Sequence, residues 1–546
     1  MLTPEQIAAL RDWAGHIADP INDFLLEDIA RRIAKAGQLT SSASYQIWRA
    51  QELGLSQREI KKRLRELLKV SNKELKKLLT QSAQVGYEFD LKRLPHAGAV
   101  PFAQNESLQE IVRSAVALAE ESLQNITQTI GMVDPYGKAL PLQDAYRSCM
   151  DYAFKQVITG AADQNTAIRR ATKNLADKGV RHIDYESGVH TSLEAATRRN
   201  IMGGLGLMQE QITAATHDEM GCDGWEISAH ANSAPDHEPI QGKQYSDAEY
   251  QALNDSLVRR ISTLNCGHVA FPIVLGVNEP QYTPEQLQKF RDDNAKGVTY
   301  NGKHYTGYEA TQLQRKLERS MRKQKNRILV YEASGDADKL ETAQVRLRLT
   351  SQEYRRFSHA AGLRTESERA YVAGFGGRQS GRAADTYKRV ETAANSMYDV
   401  GSSHENVKAW LRDKPLRATI RAGVEYPATI ESGQQRKHIP GSHEYNQYVA
   451  LLAKKGQFGP SRLTISEADA QALVYQYRGT GILPRDRKGR WLRQEWITLH
   501  GQTVGFVVNN ITGDEAETVT FKIHYGKKGT HIVPDYPSRK GMKSPK

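Results

Sequence analysis

Over the first 200 residues or so, apolar side chains return every three or four positions, the spacing of one face of an α-helix. In IADPINDFLLEDIARRIAKAG that stripe is Phe24, Leu25, Ile29 and Ile33. Two capping boxes, Ser56 with Glu59 and Ser71 with Glu74, predict two short helices in succession, because each Ser accepts from an early amide while its Glu returns to the cap amide. The basic stretch around them, GLSQREIKKRLRELLKVSNKELKKLL, fits a helix-turn-helix DNA reader. It fits packing more simply, with Ile60, Leu64, Leu67 and Leu68 as a core stripe and the lysines on a solvated face.

From about Asp184 to Pro280 the pattern breaks into short segments with Gly and Asn turns, which predicts a compact mixed domain. Thr283, Pro284 and Gln286 then have the order of a helix start: cap, first-turn proline, capping-box glutamine. YEATQLQRKLERSMRKQKNRI predicts a long charged helix with a narrow seam of Leu313, Leu317, Met321 and Ile328. A seam this thin suits a helical hairpin or a neighbouring subunit, and its basic face could be solvated or DNA-facing. After Gly362 the chain turns polar, and GFGGRQSGRAADTY reads as a hinge. SEADAQALVYQY is again amphipathic, and the β-like runs WLRQEWITL, TVGFVVN, TVTFKIHY and THIVP follow it. The fold expected is therefore multidomain and mostly helical: helices over 1–183, a small α+β domain over 184–282, a charged helical region over 283–375, a helical linker over 376–430, and an α+β domain over 431–546.

Composition narrows the class. Hydrophobic residues make up 39% of the 546 and charged residues 25%, which is globular. The first 20 residues lack a basic segment followed by an apolar one, and no stretch approaches the roughly 18 apolar residues that span a bilayer, so neither secretion nor a membrane partner is expected. Three cysteines, Cys149, Cys222 and Cys266, suit synthesis in a reducing cytoplasm rather than a disulfide scaffold. The net charge of +12 favours a polyanionic partner, and it is concentrated: residues 431–546 hold 18 Lys and Arg against 10 Asp and Glu.

Two constellations could carry chemistry. In the centre, Cys222, His230 and His237, followed by Cys266 and His268, are the residue types of a structural zinc site, yet their spacing matches no standard finger and a purely structural role for these loops is the alternative. The glycines of Met202-Gly-Gly-Leu-Gly206 lack the Lys and Ser or Thr of a phosphate-binding loop. In the last domain, strand alternation puts Val519, Phe521, Ile523 and Tyr525 on one face and Thr520, Lys522 and His524 on the other. Gly526-Lys-Lys-Gly529 reads as a hairpin turn that returns His531 to that polar row, and Lys437-His438 adds a third basic site. Cleaving RNA without a metal needs a base for the 2′-hydroxyl, an acid for the departing 5′-oxygen and a cation for the phosphorane, and His and Lys supply all three. A basic nucleic-acid-binding fold with surface histidines accounts for the same composition.

The runs DYESGVHTSLEAATRRNIMGGLGL, GWEISAHANSAPDHEPIQGKQYS, TLNCGHVAFPIVLGV and VTYNGKHYTGYEATQLQRKLERSMRKQKNR resemble the signature of the phage minor capsid protein 2 family. His237, Gly242 and Asn265-Cys266 resemble the weaker pattern of Mu-F-like head morphogenesis proteins. With SASYQIWRAQELG, the resemblance covers roughly residues 1 to 375. It implies a virion head component near the portal, made in the infected bacterium, with portal and major capsid proteins and packaged DNA as partners. RKHIPGSHEY, WLRQEWITLHG and FKIHYGKKGTHIVP, over about 432 to 537, are similar to the polymorphic toxin type 50 domain. That similarity implies a ribonuclease of the barnase, EndoU, colicin and RelE-like fold, of a kind also found fused to phage head proteins. It further implies an RNA substrate, an immunity protein and no required cofactor. Carried over, His438 and His524 are the acid and base in unassigned order, Lys437 and Lys528 stabilise phosphate, His531 is in reserve, and Thr520 belongs to the same face.

Overall fold

A computed structural model of the chain describes residues 19–39, 42–92, 94, 99–133, 138–159, 161–183, 190–258, 260–261, 267–372, 374–398, 401–486, 488–499 and 501–536. It is mostly helical, with small antiparallel sheets. The chain divides into two compact units, Met1–Thr386 and Tyr387–Lys546.

In the first unit, helix α1 (Asp19–Ala36) buries Leu25, Ile29 and Ile33 as the periodicity predicts, with Phe24 half-buried beside them. The two helices expected from the capping boxes are instead one helix, α2 (Ser42–Leu91). Ser and Glu three residues apart satisfy a helix start only where the chain arrives extended; inside a continuing apolar stripe they sit on the wall of the helix. The stripe continues through Leu75, Leu79, Ala83 and Tyr87, all buried, so no turn separates two DNA-reading helices. Lys73, Lys76 and Lys77 are exposed, while the side chains of Ile60, Leu64, Leu67 and Leu68 lie outside the described residues. Helix α3 (Glu106–Gln128) follows. Strands β1 (Ile130–Val133), β2 (Ala139–Pro141), β3 (Arg181–Ile183) and β4 (His190–Ser192) form an antiparallel sheet in the order β2-β1-β3-β4. Helices α4 (Leu142–Ile158) and α5 (Gln164–Lys178) lie between β2 and β3 in the chain.

The central region contains one long element that the broken pattern conceals, helix α6 (Leu193–Glu219). Gly203, Gly204 and Gly206 stand in its interior. Each costs about 1 kcal/mol relative to Ala, and burial of Ile201, Met202, Leu205, Met208 and Ile212 offsets that cost. An antiparallel sheet in the order β6-β5-β7 then joins β5 (Gly224–Ile227), β6 (Gln244–Ser246) and β7 (Ala270–Ile273), with helix α7 (Asp247–Ser256) behind a Ser246–Glu249 capping box. Helix α8 (Pro284–Lys296) starts with the predicted Thr283–Gln286 capping box. After the β8–β9 hairpin (Val298–Tyr300 and Lys303–Tyr305), α9 (Gly307–Ser334) and α10 (Ala337–Ala360) form a helical hairpin. Met321 and Ile328 of the predicted seam are buried, Leu313 and Leu317 half-buried. Polar groups close the rest: Gln314 donates to Ser358 Oγ at 3.0 Å and to the Arg364 carbonyl at 2.8 Å, and Tyr354 donates to Glu318 at 3.2 Å. The expected hinge is helical from Gly377 onward, in α11 (Gly377–Met397), because Ala383, Tyr387, Val390 and Ala394 supply a buried stripe through it.

The second unit begins inside the expected linker. Helix α12 (Ser403–Ala422) belongs to it through Ile420, which packs with Leu473, Leu483, Phe521 and Ile532. Buried Asp413 accepts from Tyr398 at 2.8 Å and from Arg485 at 2.7 Å, while Arg417 donates to Tyr398 and to the Gly481 carbonyl. One helical turn (α13, Ser432–Gln435), α14 (His443–Lys454) and α15 (Glu467–Tyr477) accompany two three-stranded antiparallel sheets. One has the order β10-β12-β13 (Arg462–Leu463, Gly505–Val508, Glu515–Thr518), the other β11-β14-β15 (Gln494–Thr498, Thr520–Tyr525, Thr530–Asp535). TVTFKIHY, one run by pattern, is thus divided between the sheets at Val519. There the Thr518 hydroxyl accepts from the Thr520 amide and donates to the Asp535 carbonyl.

Candidate active site

Strand β14 alternates as predicted: Phe521, Ile523 and Tyr525 face the core, and Lys522 and His524 lie on the half-buried second face. The Gly526–Gly529 turn closes with the Gly526 amide on the Gly529 carbonyl, so His524 stands directly across from His531 and Lys522 across from Val533. Strand β11 adds Gln494 opposite His524 and Trp496 opposite Lys522.

His438 arrives from outside the sheet. The backbone at Ile430 runs parallel to β15, with the Glu431 amide on the Thr530 carbonyl at 2.8 Å. Gln435, fully buried, then clasps Ile532 twice: its amide group donates to the Ile532 carbonyl at 3.0 Å, and its carbonyl accepts from the Ile532 amide at 2.8 Å. Three residues on, the turn Arg436–His438 delivers the imidazole against β15. His438 and His531 are parallel within 8° at 6.0 Å between ring centroids, and His531 stacks on His524 at 4.8 Å. His531, expected in reserve, is therefore the member of the row that stacks on both others.

Electrostatics follow from this packing. Burial holds His531 down to about 3, helped by His524, His438 and Lys437. Burial holds His524 down to about 4, helped by Lys522 and His438, and lowers His438 as well. All three rings are neutral at pH 7. His438 Nδ1 donates to the Ser461 carbonyl at 2.8 Å; a carbonyl can only accept, so in the neutral ring Nε2 keeps its lone pair. Lys437 Nζ donates to Gln434 at 2.9 Å and lies 5.9 Å from the Tyr448 ring centroid. Lys522 pairs with Asp535 at 3.2 Å.

The remaining expected residues are set apart. Thr520 is 3% exposed and shares its hydroxyl with Thr498 at 3.0 Å, four residues and about 13 Å of strand from His524. Lys528 is exposed at the tip of the turn. Lys522, expected on the polar face, flanks the histidines, and so do Gln494 and Trp496, which the sequence by itself did not single out. The 2-residue alternation of QEWIT could have put Gln494 and Trp496 on one face, but only the register pairs them with β14. Glu495 points the other way, fully buried, and accepts from the Gly479 and Gly481 amides and from the Tyr525 hydroxyl at 2.8, 2.5 and 2.5 Å.

In the central module three of the expected metal ligands gather by hydrogen bonding. Gln241 Oε1 accepts from the His230 amide, so it accepts from His268 Nε2 too, at 2.9 Å; His268 Nδ1 then accepts from His237 Nδ1 at 3.3 Å. Both nitrogens of His268 are thereby engaged within the protein. The Cys222 thiol is half-buried and pushed up to about 11 by burial, then by Asp223, Asp247 and Asp90. Cys266 lies outside the described residues. No group of three or more His, Cys, Asp or Glu among the described residues is placed to hold a metal ion. No helix among them is long and apolar enough to cross a membrane.

No curated protein and no solved structure matches the chain. The family model for bacterial toxin 50 matches residues 430–534, the segment that holds the histidine row. The family model for phage minor capsid protein 2 matches residues 2–358, more than half of the 546, and by that match the chain belongs to the phage minor capsid protein 2 family.

Proposed function

We propose that the protein is a structural component of the phage head, acting in head assembly or DNA passage near the portal, and that its toxin segment is a metal-independent ribonuclease. Portal and major capsid subunits and packaged DNA are its partners in the virion, and the protein is made in the host cytoplasm before assembly. The carrying observation for the enzyme is the stacked row of His438, His531 and His524 on the half-buried second face of a sheet in a basic domain.

His438 Nε2, holding its lone pair, takes the proton of the RNA 2′-hydroxyl. The 2′-oxygen attacks the phosphorus, the bond from phosphorus to the 5′-oxygen breaks, and a protonated His531 or His524 gives that oxygen its proton. A 2′,3′-cyclic phosphate and a 5′-hydroxyl result. Burial holds the imidazoles neutral, so the acid must be charged as substrate binds: a phosphate anion beside the row favours the imidazolium. Lys437 and Lys522 supply positive charge for the phosphorane. The toxin family similarity supports this reading, and with it the barnase-like class of fold and an immunity protein as partner.

The test is RNA cleavage by the full chain in EDTA, beside a His438→Ala/His531→Ala double variant. Loss of cleavage in the variant, by about 100-fold or more for a removed acid or base, is the expected outcome. Salt-sensitive RNA binding by the wild type with no cleavage would replace the enzyme with a nucleic-acid-binding module.

A further inference from the structure

The histidine row has no part in a groove of the central module. Residues 207–257 hold ten Asp and Glu against one Lys, in a chain whose net charge is +12. Where the end of α6 meets the start of α7, a half-open cavity of about 500 Å³ is lined by Glu210, His217, Asp218, Trp225, Asp247 and Tyr250, among others.

Its wall is aromatic. The His217 and Trp225 rings are parallel within 3° at 4.8 Å, and Tyr250 stacks on Trp225 at 5.2 Å. Two carboxylates flank the imidazole, Asp218 Oδ1 at 3.2 Å from Nδ1 and Asp247 Oδ1 at 3.0 Å from Nε2. Each uses one oxygen on His217. Their side chains are 86% and 53% exposed, so carboxylate remains available at the rim. On the α6 side, Glu210 already accepts a guanidinium of this chain, that of Arg260 at 3.1 Å.

Aromatic faces attract cations, and a planar guanidinium both stacks on such faces and takes carboxylate oxygens through paired N–H donors. A compact ammonium is more strongly hydrated and gains less from a ring. Nucleic acid is the wrong sign for this groove, since its phosphates would meet the rim carboxylates. The charge therefore selects a protein partner, although most of the chain favours polyanions. We propose that this groove receives an arginine side chain from a basic segment of a partner protein. The inference is independent of the ribonuclease reading.

The test is fluorescence polarisation of a labelled hexa-arginine peptide against the full chain at fixed ionic strength. Saturable binding is expected, weakened about tenfold or more, or by 1.4 kcal/mol, in an Asp218→Asn/Asp247→Asn variant. A Glu285→Gln control, at an exposed acid on α8, should bind as wild type does. A hexa-lysine peptide of equal charge should bind several-fold more weakly. If the double variant melts at a lower temperature, the single Asp218→Asn variant replaces it, because that side chain is 86% exposed. Equal affinity for both peptides, or wild-type affinity in the Asn variants, would overturn the proposal.

Discussion

Burial in the tail unit moves the titration of individual side chains away from where water would put it. Three imidazoles stay neutral because they are buried against one another, so between their unfolded value near 6.5 and their folded values the unfolded chain binds more protons than the folded one. Their contribution to stability is thus complete above about pH 6.5 and is lost as pH falls toward 4. We expect the melting temperature of the tail unit to drop across that window, by the equivalent of about 2 kcal/mol each for His524 and His531 at pH 4.5. Replacing His531 with Gln should flatten the slope, and an unchanged slope would show that the ring titrates as if exposed. Glu495 is held the other way: burial raises its carboxyl, while two glycine amides and the Tyr525 hydroxyl offset part of that cost. Alternation puts Glu495 on one face with Ile497, but the adjacent Trp496 is apolar too, so the inward face and the three partners of Glu495, from a loop and another strand, are set by the tertiary structure.

At the scale of elements, the decisive difference lies in α2. If a helix began at Ser71, Asn72 would be its first residue, where proline is well tolerated; within a continuous helix the same proline costs about 3 kcal/mol or more. Asn72→Pro should therefore lower the thermal stability of the full chain markedly. A neutral effect would restore the two-helix reading. The tail unit poses a similar question about where an element belongs. Helix α12 precedes the residues that match the toxin family, yet Ile420 is in the core and Asp413 and Arg417 bond to Arg485 and Gly481. A fragment covering 387–546 should unfold cooperatively, while one covering 431–546 should not, as read by thermal denaturation followed by circular dichroism. Cooperative unfolding of the shorter fragment would make α12 dispensable.

For the whole molecule, the two compact units match two different families, and the capsid part contains none of the histidine row. The His438→Ala/His531→Ala chain should therefore enter virions in wild-type amount, measured by quantitative mass spectrometry of purified particles, while losing any toxicity on expression in the host. Particles lacking the variant would tie the histidines to assembly instead. By itself the sequence determined the families, the helical body, the strands of the tail, the Gly526–Gly529 hairpin and the return of His531 to the polar row. Those follow from local periodicity, turn chemistry and long family-specific runs, all of which act over a few residues. Only the tertiary structure decided that α2 is unbroken, that α6 runs through its glycines, that α12 joins the tail, and that His531 is the inner member of a row completed by His438. These depend on burial and on contacts between residues far apart in the chain, such as Gln435 on Ile532, where packing energy outweighs the local signal.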